Sequence, residues 1–270
     1  MARRAGVYVD ASNIDLNGGY GLRYDVLRDL ACRGGGEPQR LNVYLAYDER
    51  RAERDPEYAQ KSSRFHAAVR DQGFRVTIKP VKHYIDGEGN ERSRSNADLD
   101  MAVDALTESD RLDSVMLVTG DGDFNKVVRA LQSRGCRVEI LAFDNVSREL
   151  KDEADVFING YLIPGLAVGR DAAGSKKAWG EFGSRVRGIC YNIRPDENFG
   201  FFSYWQAMPE GNILTTTGMK PAYFKTSSIP ESVALSRLPS RQIIFEFELV
   251  VPTKPDAAPE AREIEVVSVQ

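Results

Sequence analysis

The 270-residue sequence is poor in the side chains that most often carry enzyme chemistry: two histidines, His66 and His83, and three cysteines, Cys32, Cys136 and Cys190. Two distant imidazoles argue against a histidine-rich metal site or a Ser-His-Asp triad. The cysteines are odd in number, far apart and never spaced C-x-x-C. That excludes a disulfide scaffold and a cysteine zinc site, and suits a reducing, cytoplasmic setting. No apolar run reaches about 18 residues, so no membrane-spanning helix is expected. The opening MARRAGVYVD carries no apolar stretch of signal-peptide length. Positive charge is also lacking in excess: 36 Lys and Arg stand against 40 Asp and Glu, a net charge of −4. That balance argues against a protein that coats nucleic acid non-specifically. No internal repeat is visible. What is present, 42% apolar and 28% charged residues, suffices for a real core and leaves the chemistry to carboxylates.

The first 165 residues alternate short β-branched runs with helical periods. Gly6–Val9, Leu41–Leu45, Arg75–Ile78, Val115–Val118 and Val138–Leu141 read as strands. Phe65 and Val69, then Phe124, Val127, Val128 and Leu131, recur at helical spacing, with Gly73 and Gly135 where C-terminal caps belong. Strand, helix and strand at this spacing predict an α/β domain with a mostly parallel sheet flanked by helices, whose ligand site lies at the strands' carboxyl ends. Residues 166–184 are rich in Gly, Ala and Ser and read as a linker. Beyond it, Arg185–Ile193, Phe199–Tyr204, Ala222–Lys225, Ile243–Val251 and Glu263–Val269 are strand-like, which predicts a small antiparallel all-β barrel over 185–270. The acidic excess lies in residues 1–165, with 24 basic and 28 acidic residues; 166–270 carry 12 of each.

Carboxylates mark the predicted functional edge. Asp10 ends the run Val7-Tyr8-Val9, and Asp121 and Asp123 follow Val115–Val118 in VTGDGDFN. Asp98, Asp100 and Asp104 open a helix in SNADLDMAVDAL; at about 100° per residue, Asp100 and Asp104 share a face and Asp98 does not. Each aspartate has a structural reading by itself: Asp121 or Asp123 as an N-cap, Asp98 as an offset to its helix dipole, Asp104 as a surface or supporting acid. If Asp10, Asp98, Asp121 and Asp123 converge, their mutual repulsion calls for a cation, and hard oxygen donors suit Mg²⁺ or Mn²⁺. Asn13 would then orient a ligand or cap the turn.

These strings resemble the NYN domain, a PIN-like nuclease fold of the LabA-like group. Asp10-Ala11-Ser12-Asn13 is similar to its D-x-S-N opening. Ser95-Asn96-Ala97-Asp98 with Asp104 resembles its K-G-x-D-x-x-x-x-x-D helix start, with Ser95-Asn96 where Lys-Gly is common. Thr119-Gly120-Asp121-Gly122-Asp123-Phe124 is similar to its S-G-D-G-D-F signature. The resemblance covers about 160 residues and implies a metal-dependent endoribonuclease. Asp10, Asp98, Asp121 and Asp123 would be the metal-binding and catalytic acids, with Asn13 and Asp104 in support. It also implies in-line hydrolysis of phosphodiester bonds to 5′-phosphate products.

Two further regions bear on nucleic acid. Lys79, Lys82, His83, Arg92 and Arg94 lead into the Asp98 helix and either hold phosphates or form a solvated hairpin. In the second domain, Phe199 and Phe201 share a strand face, as do Tyr223 and Lys225, which gives a stacking platform for unpaired bases or a barrel core. Arg187-Gly188-Ile189, Phe199-Gly200-Phe201-Phe202 and Tyr223–Ile229 resemble a cold-shock domain of the OB-fold class. That resemblance implies Phe199, Phe201 and Tyr223 as base-stacking positions. Lys225 stands at the usual His, Thr226 replaces an aromatic, and residues 203–221 form an insert containing Trp205, read as a further stacking group or as packing. The expected function is a Mg²⁺- or Mn²⁺-dependent ribonuclease acting on single-stranded RNA. The alternatives are an RNA-binding regulator with an idle pocket and a haloacid-dehalogenase-like phosphatase, which Ser12 disfavours.

Overall fold

The run Val115–Val118 has no polar alternation, and in the computed structural model the strand Ser114–Val118 is buried along its whole length. A strand that reads as continuously apolar needs cover on both faces, which a parallel sheet between helix layers provides. The structure describes residues 2–85, 87, 89–167, 177–211, 213, 218–252 and 254–269, with the backbone alone at 91–94. Two compact units are present: Met1–Tyr20 with Tyr24–Ile158, and Gly21–Arg23 with Asn159–Gln270.

The first unit begins β1 (Arg4–Asp10), α1 (Ala11–Leu16), α2 (Tyr24–Ala31), β2 (Glu37–Tyr47), α3 (Glu49–Arg54), α4 (Pro56–Asp71) and β3 (Arg75–Pro80). A hairpin of β4 (Lys82–Ile85) and β5 (Glu91–Arg94) follows, then α5 (Ala97–Glu108), β6 (Ser114–Val118), α6 (Asn125–Ser133), β7 (Arg137–Ala142), α7 (Arg148–Glu153) and β8 (Val156–Asn159). The six-stranded sheet has the order β3-β2-β1-β6-β7-β8, and β1–β2, β2–β3, β1–β6 and β6–β7 pair in parallel. Local chemistry sets the helix ends. Asp55 accepts a hydrogen bond from the Tyr58 N–H at the start of α4, with Pro56 in the first turn. Gly73 and Gly135 end α4 and α6 at φ +89° and +85°, where a side chain would be strained.

One face of this sheet presents Tyr8, Tyr44, Val115, Leu117, Val138 and Ile140 to Met101 and Ala105 of α5 and to Val127, Val128 and Leu131 of α6. Each such fully buried aliphatic side chain contributes about 1.5–3 kcal/mol. Because α5 packs on β1 and β2, its first turn stands at the rim where β1 ends.

The second unit contains β9 (Arg185–Arg194), β10 (Phe199–Trp205), β11 (Met219–Lys225), β12 (Ser240–Val250) and β13 (Glu260–Val269), closed in the order β10-β11-β13-β12-β9. Its core is Phe202, Tyr204, Phe224, Phe245 and Phe247 with Val186, Ile243 and Leu249. The ring is mixed rather than purely antiparallel. It closes through a parallel contact of β11 with β13 at Tyr223 and Glu260, a pairing between strands distant in sequence. Of the stretch expected to be a linker, residues 168–176 lie outside the described residues. Trp179 packs on this core and donates its indole N–H to the Trp205 carbonyl at 2.7 Å.

Candidate metal and nucleic-acid site

The chain winds outward from β1 in both directions, first through β2 and β3 and later through β6, β7 and β8. The rim beyond β1 and β6 is therefore the switch point of the sheet, where such folds form their crevice. Asp10 is the last residue of β1, beside Tyr44 in register, and only 8% exposed. Its carboxylate caps α1 by accepting the Asn13 N–H at 3.0 Å. Burial pushes the Asp10 carboxyl above its ordinary pKa. The Asn13 and Ser12 N–H groups oppose this, and the neighbouring charges of Asp98 and Asp121 add to it.

Asn13 does a second job with its side chain: its Oδ1 accepts the Gly120 N–H at 2.9 Å and so ties the end of β1 to the loop after β6. In that loop Asp121 accepts the Asp123 N–H at 3.0 Å, which leaves Asp121 half-buried and Asp123 exposed. The loop before α7 crosses closely, and the Ser147 N–H donates to the Gly120 carbonyl at 3.0 Å. A Cβ on Gly122 would stand 2.9 Å from Ser147 Oγ, so the glycine answers a close approach.

On α5, Ala97, Met101 and Ala105 face the core and Asp98 lies at their flank. Asp98 and Asp123 line one cavity of about 260 Å³ with Asn96, Leu99, Ala102, Phe124 and Val127. The other two acids of this helix are engaged elsewhere. Asp100 pairs with Lys79 of β3 at 2.6 Å, and Asp104 accepts the Tyr44 hydroxyl at 2.8 Å. Asp104 therefore supports the layer beneath the rim. Burial, the Asp104 hydrogen bond and nearby negative charge raise the pKa of that tyrosine.

Among the described residues, Asp10, Asp98, Asp121 and Asp123 make no ion pair with lysine or arginine. Nor, among them, is any group of three or more His, Cys, Asp or Glu spaced to hold a metal ion. The four acids thus share one rim without forming a finished cage. Their chemistry still fits a hard divalent cation: only oxygen donors, a buried carboxylate resisting ionisation, and two neighbours whose charges raise that resistance.

Beside the acids, Lys82 and Tyr84 of β4 line a second cleft with Lys79, Pro80 and Asn96. His83 points the other way, 3.2 Å from Asp48. The register sets Arg94 opposite Lys82 and Arg92 opposite Tyr84; the side chains of Arg92 and Arg94 lie outside the described residues. Sequence reasoning missed Tyr84 and Asn96, although the alternation of Lys82, His83 and Tyr84 already set Tyr84 beside Lys82.

In the second unit, Phe199, Phe201 and Tyr223 stand together, with ring centroids 5.7–6.0 Å apart. All three are half-buried, while Phe202 and Phe224 point inward. Lys225 is exposed opposite Phe199, and Arg194 lies 5.9 Å above the Phe199 ring. A fourth ring, Tyr191, 49% exposed, sits 6.3 Å from Phe201. A bulge between Phe201 and Phe202 turns both Tyr191 and Asn192 outward, which strict alternation along β9 does not foretell. Trp205 is buried and packs in the unit.

The NYN domain profile matches residues 4–163, the unit that carries the acidic rim. The chain belongs to the NYN-domain family. NYN domains form a PIN-like nuclease family. The low amplitude and bright protein LabA of Synechococcus elongatus is 27% identical over 98 residues, 35% of this chain and 53% of that protein. The NYN chain thus spans about half the length of that curated relative. Among solved structures it is similar to a protein of unknown function from Vibrio parahaemolyticus: 26% identity, TM-score 0.47, 58% of this chain and 93% of the other covered.

Proposed function

We propose that this NYN protein is a divalent-metal-dependent endoribonuclease acting on single-stranded RNA, with the C-terminal barrel, read as OB-like, binding the strand. The observation that carries this reading is the buried Asp10 carboxylate at the sheet's switch point, facing the charges of Asp98 and Asp121 with no lysine or arginine partner among the described residues. Asp10, Asp98, Asp121 and Asp123 would hold Mg²⁺ or Mn²⁺. When bound, such an ion neutralises the carboxylates and polarises the phosphoryl group and the attacking water. The chain's own part is positional. Asn13 locks the β1 end to the β6 loop, Gly120 and Gly122 let the loop before α7 close over it, and the β4–β5 hairpin meets the phosphates with Lys82, Arg92 and Arg94. On the barrel, Phe199, Phe201 and Tyr223 would stack unpaired bases, with Lys225 beside them.

The test is cleavage of labelled single-stranded RNA in Mn²⁺ by the whole chain and by Asp121→Asn. Loss of cleavage in the variant and in EDTA is expected; undiminished cleavage in the variant rejects the site, and cleavage in EDTA rejects the metal. A second reading, an RNA-binding protein with an idle pocket, is favoured by one observation: among the described residues, the acids form no ready metal-holding group. RNA binding without turnover in Mg²⁺ or Mn²⁺ would select it.

A further inference from the structure

Two cavities share one lining residue, Asn96. One, of about 260 Å³, is lined by Asp98 and Asp123; the other, of about 420 Å³, is lined by Lys79, Pro80, Lys82 and Tyr84, and Asn96 belongs to both. The larger lies in the usual range for small-ligand clefts, about 300–1,000 Å³. Its walls differ in chemistry from those of the acidic cavity. Lys79 is held against α5 by Asp100, which fixes the floor of the cleft to the helix bearing Asp98. Lys82 is exposed and Tyr84 is 50% exposed, and both line the cleft. A cation, an open aromatic face and a side-chain amide, placed next to carboxylates, match the parts of one nucleotide: phosphate, base and sugar.

We propose that this hairpin cleft is the subsite for a nucleotide flanking the bond to be cut, with Tyr84 stacking on its base and Lys82 holding its phosphate. The proposal rests on the nuclease reading above and adds a substrate requirement to it. A base stacked on Tyr84 has left any duplex, so the strand must be unpaired at the flanking position. Tyr84 is then a positioning residue and Asp98 and Asp123 mark where the strand arrives.

The experiment uses the full chain carrying Asp121→Asn and a single-stranded RNA with 4-thiouridine at each position in turn, irradiated and mapped by mass spectrometry. Crosslinks to Tyr84 or Lys82 are expected from one or two adjacent positions of the RNA. Crosslinks confined to the barrel, or none at all, overturn the proposal. In steady-state cleavage by the otherwise native chain, Tyr84→Ala should raise KM for single-stranded RNA about tenfold with kcat little changed. Tyr84→Phe should behave as the native protein, and Lys82→Ala should raise KM with a smaller salt dependence. Unchanged KM in both alanine variants, alongside a dead Asp121→Asn, rejects the cleft and keeps the nuclease. A native chain that crosslinks through Tyr84 but cuts nothing in Mg²⁺ or Mn²⁺ rejects the nuclease and keeps the cleft.

Discussion

A single carboxylate sets the electrostatics of the rim. Burial and the charges of Asp98 and Asp121 raise the pKa of Asp10 in the folded chain, although two backbone N–H groups favour its anion. The folded state therefore holds this proton more tightly than the unfolded chain. Stability linked to the protonated carboxyl is present below the unfolded value, about pH 4, and is lost as pH rises through the folded value. In EDTA at neutral pH, Asp10→Asn should raise Tm by a few degrees, about 2–4 °C per kcal/mol recovered, with the gain vanishing toward pH 4. Mn²⁺ should raise Tm of the native chain and leave that of the variant unchanged; thermal scans across pH check both. Asn13 is the second sensitive residue, because Gly120 has its N–H bonded to the Asn13 side chain. Asn13→Ala should cost about 1–3 kcal/mol by leaving that donor unpaired. Asn13→Asp keeps the acceptor but adds charge beside Asp10, and should recover stability only in acid. Urea denaturation measures each.

At the scale of elements, close backbone approaches decide what the strands tolerate. A Cβ on Gly200 of β10 would lie 2.3 Å from the Phe224 ring and 2.8 Å from the Asn192 carbonyl. Gly200→Ala should destabilise the barrel by about 1–3 kcal/mol or more through overpacking, read by calorimetry as a shift of its transition. The interior ring stack explains why: Phe202 and Phe224 lie with centroids 4.3 Å apart, leaving no slack. The same strand shows what local pattern reveals. Alternation along Phe199–Phe202 separates outer from inner rings correctly, because a strand's period is two. It fails on β9, where the bulge beside Phe201 turns neighbouring Tyr191 and Asn192 to one side and adds a fourth ring to the outer aromatic cluster.

At the scale of the whole molecule, a net charge of −4 makes long-range attraction for any nucleic acid weak, so an RNA strand held as proposed would be gripped by local contacts. RNA affinity should then fall with a shallow salt slope, about −0.7 per phosphate contacted, with only a few contacts. Phe201→Ala should weaken RNA binding about tenfold at every salt concentration and leave the slope alone. Fluorescence anisotropy from low to moderate salt tests the pair; a steep slope, or no effect of Phe201→Ala, would contradict the picture of a stacking-led grip.

Much of this protein was written in local pattern. Apolar runs, glycine caps and the placement of Asp10, Asp121 and Asp123 directly after strands specify a parallel α/β unit with acids on its carboxyl edge, since period and capping are short-range physics. Helical spacing in SNADLDMAVDAL already set Asp98 apart from Asp100 and Asp104, and packing gave each its place: Asp98 reaches the rim, Asp100 meets Lys79 and Asp104 meets Tyr44. The strand order that makes β1 and β6 neighbours, the parallel closure of β11 on β13 and the sharing of Asn96 by two clefts were likewise decided by tertiary structure. Each depends on contacts between residues far apart in the chain, whose pairing no local period encodes.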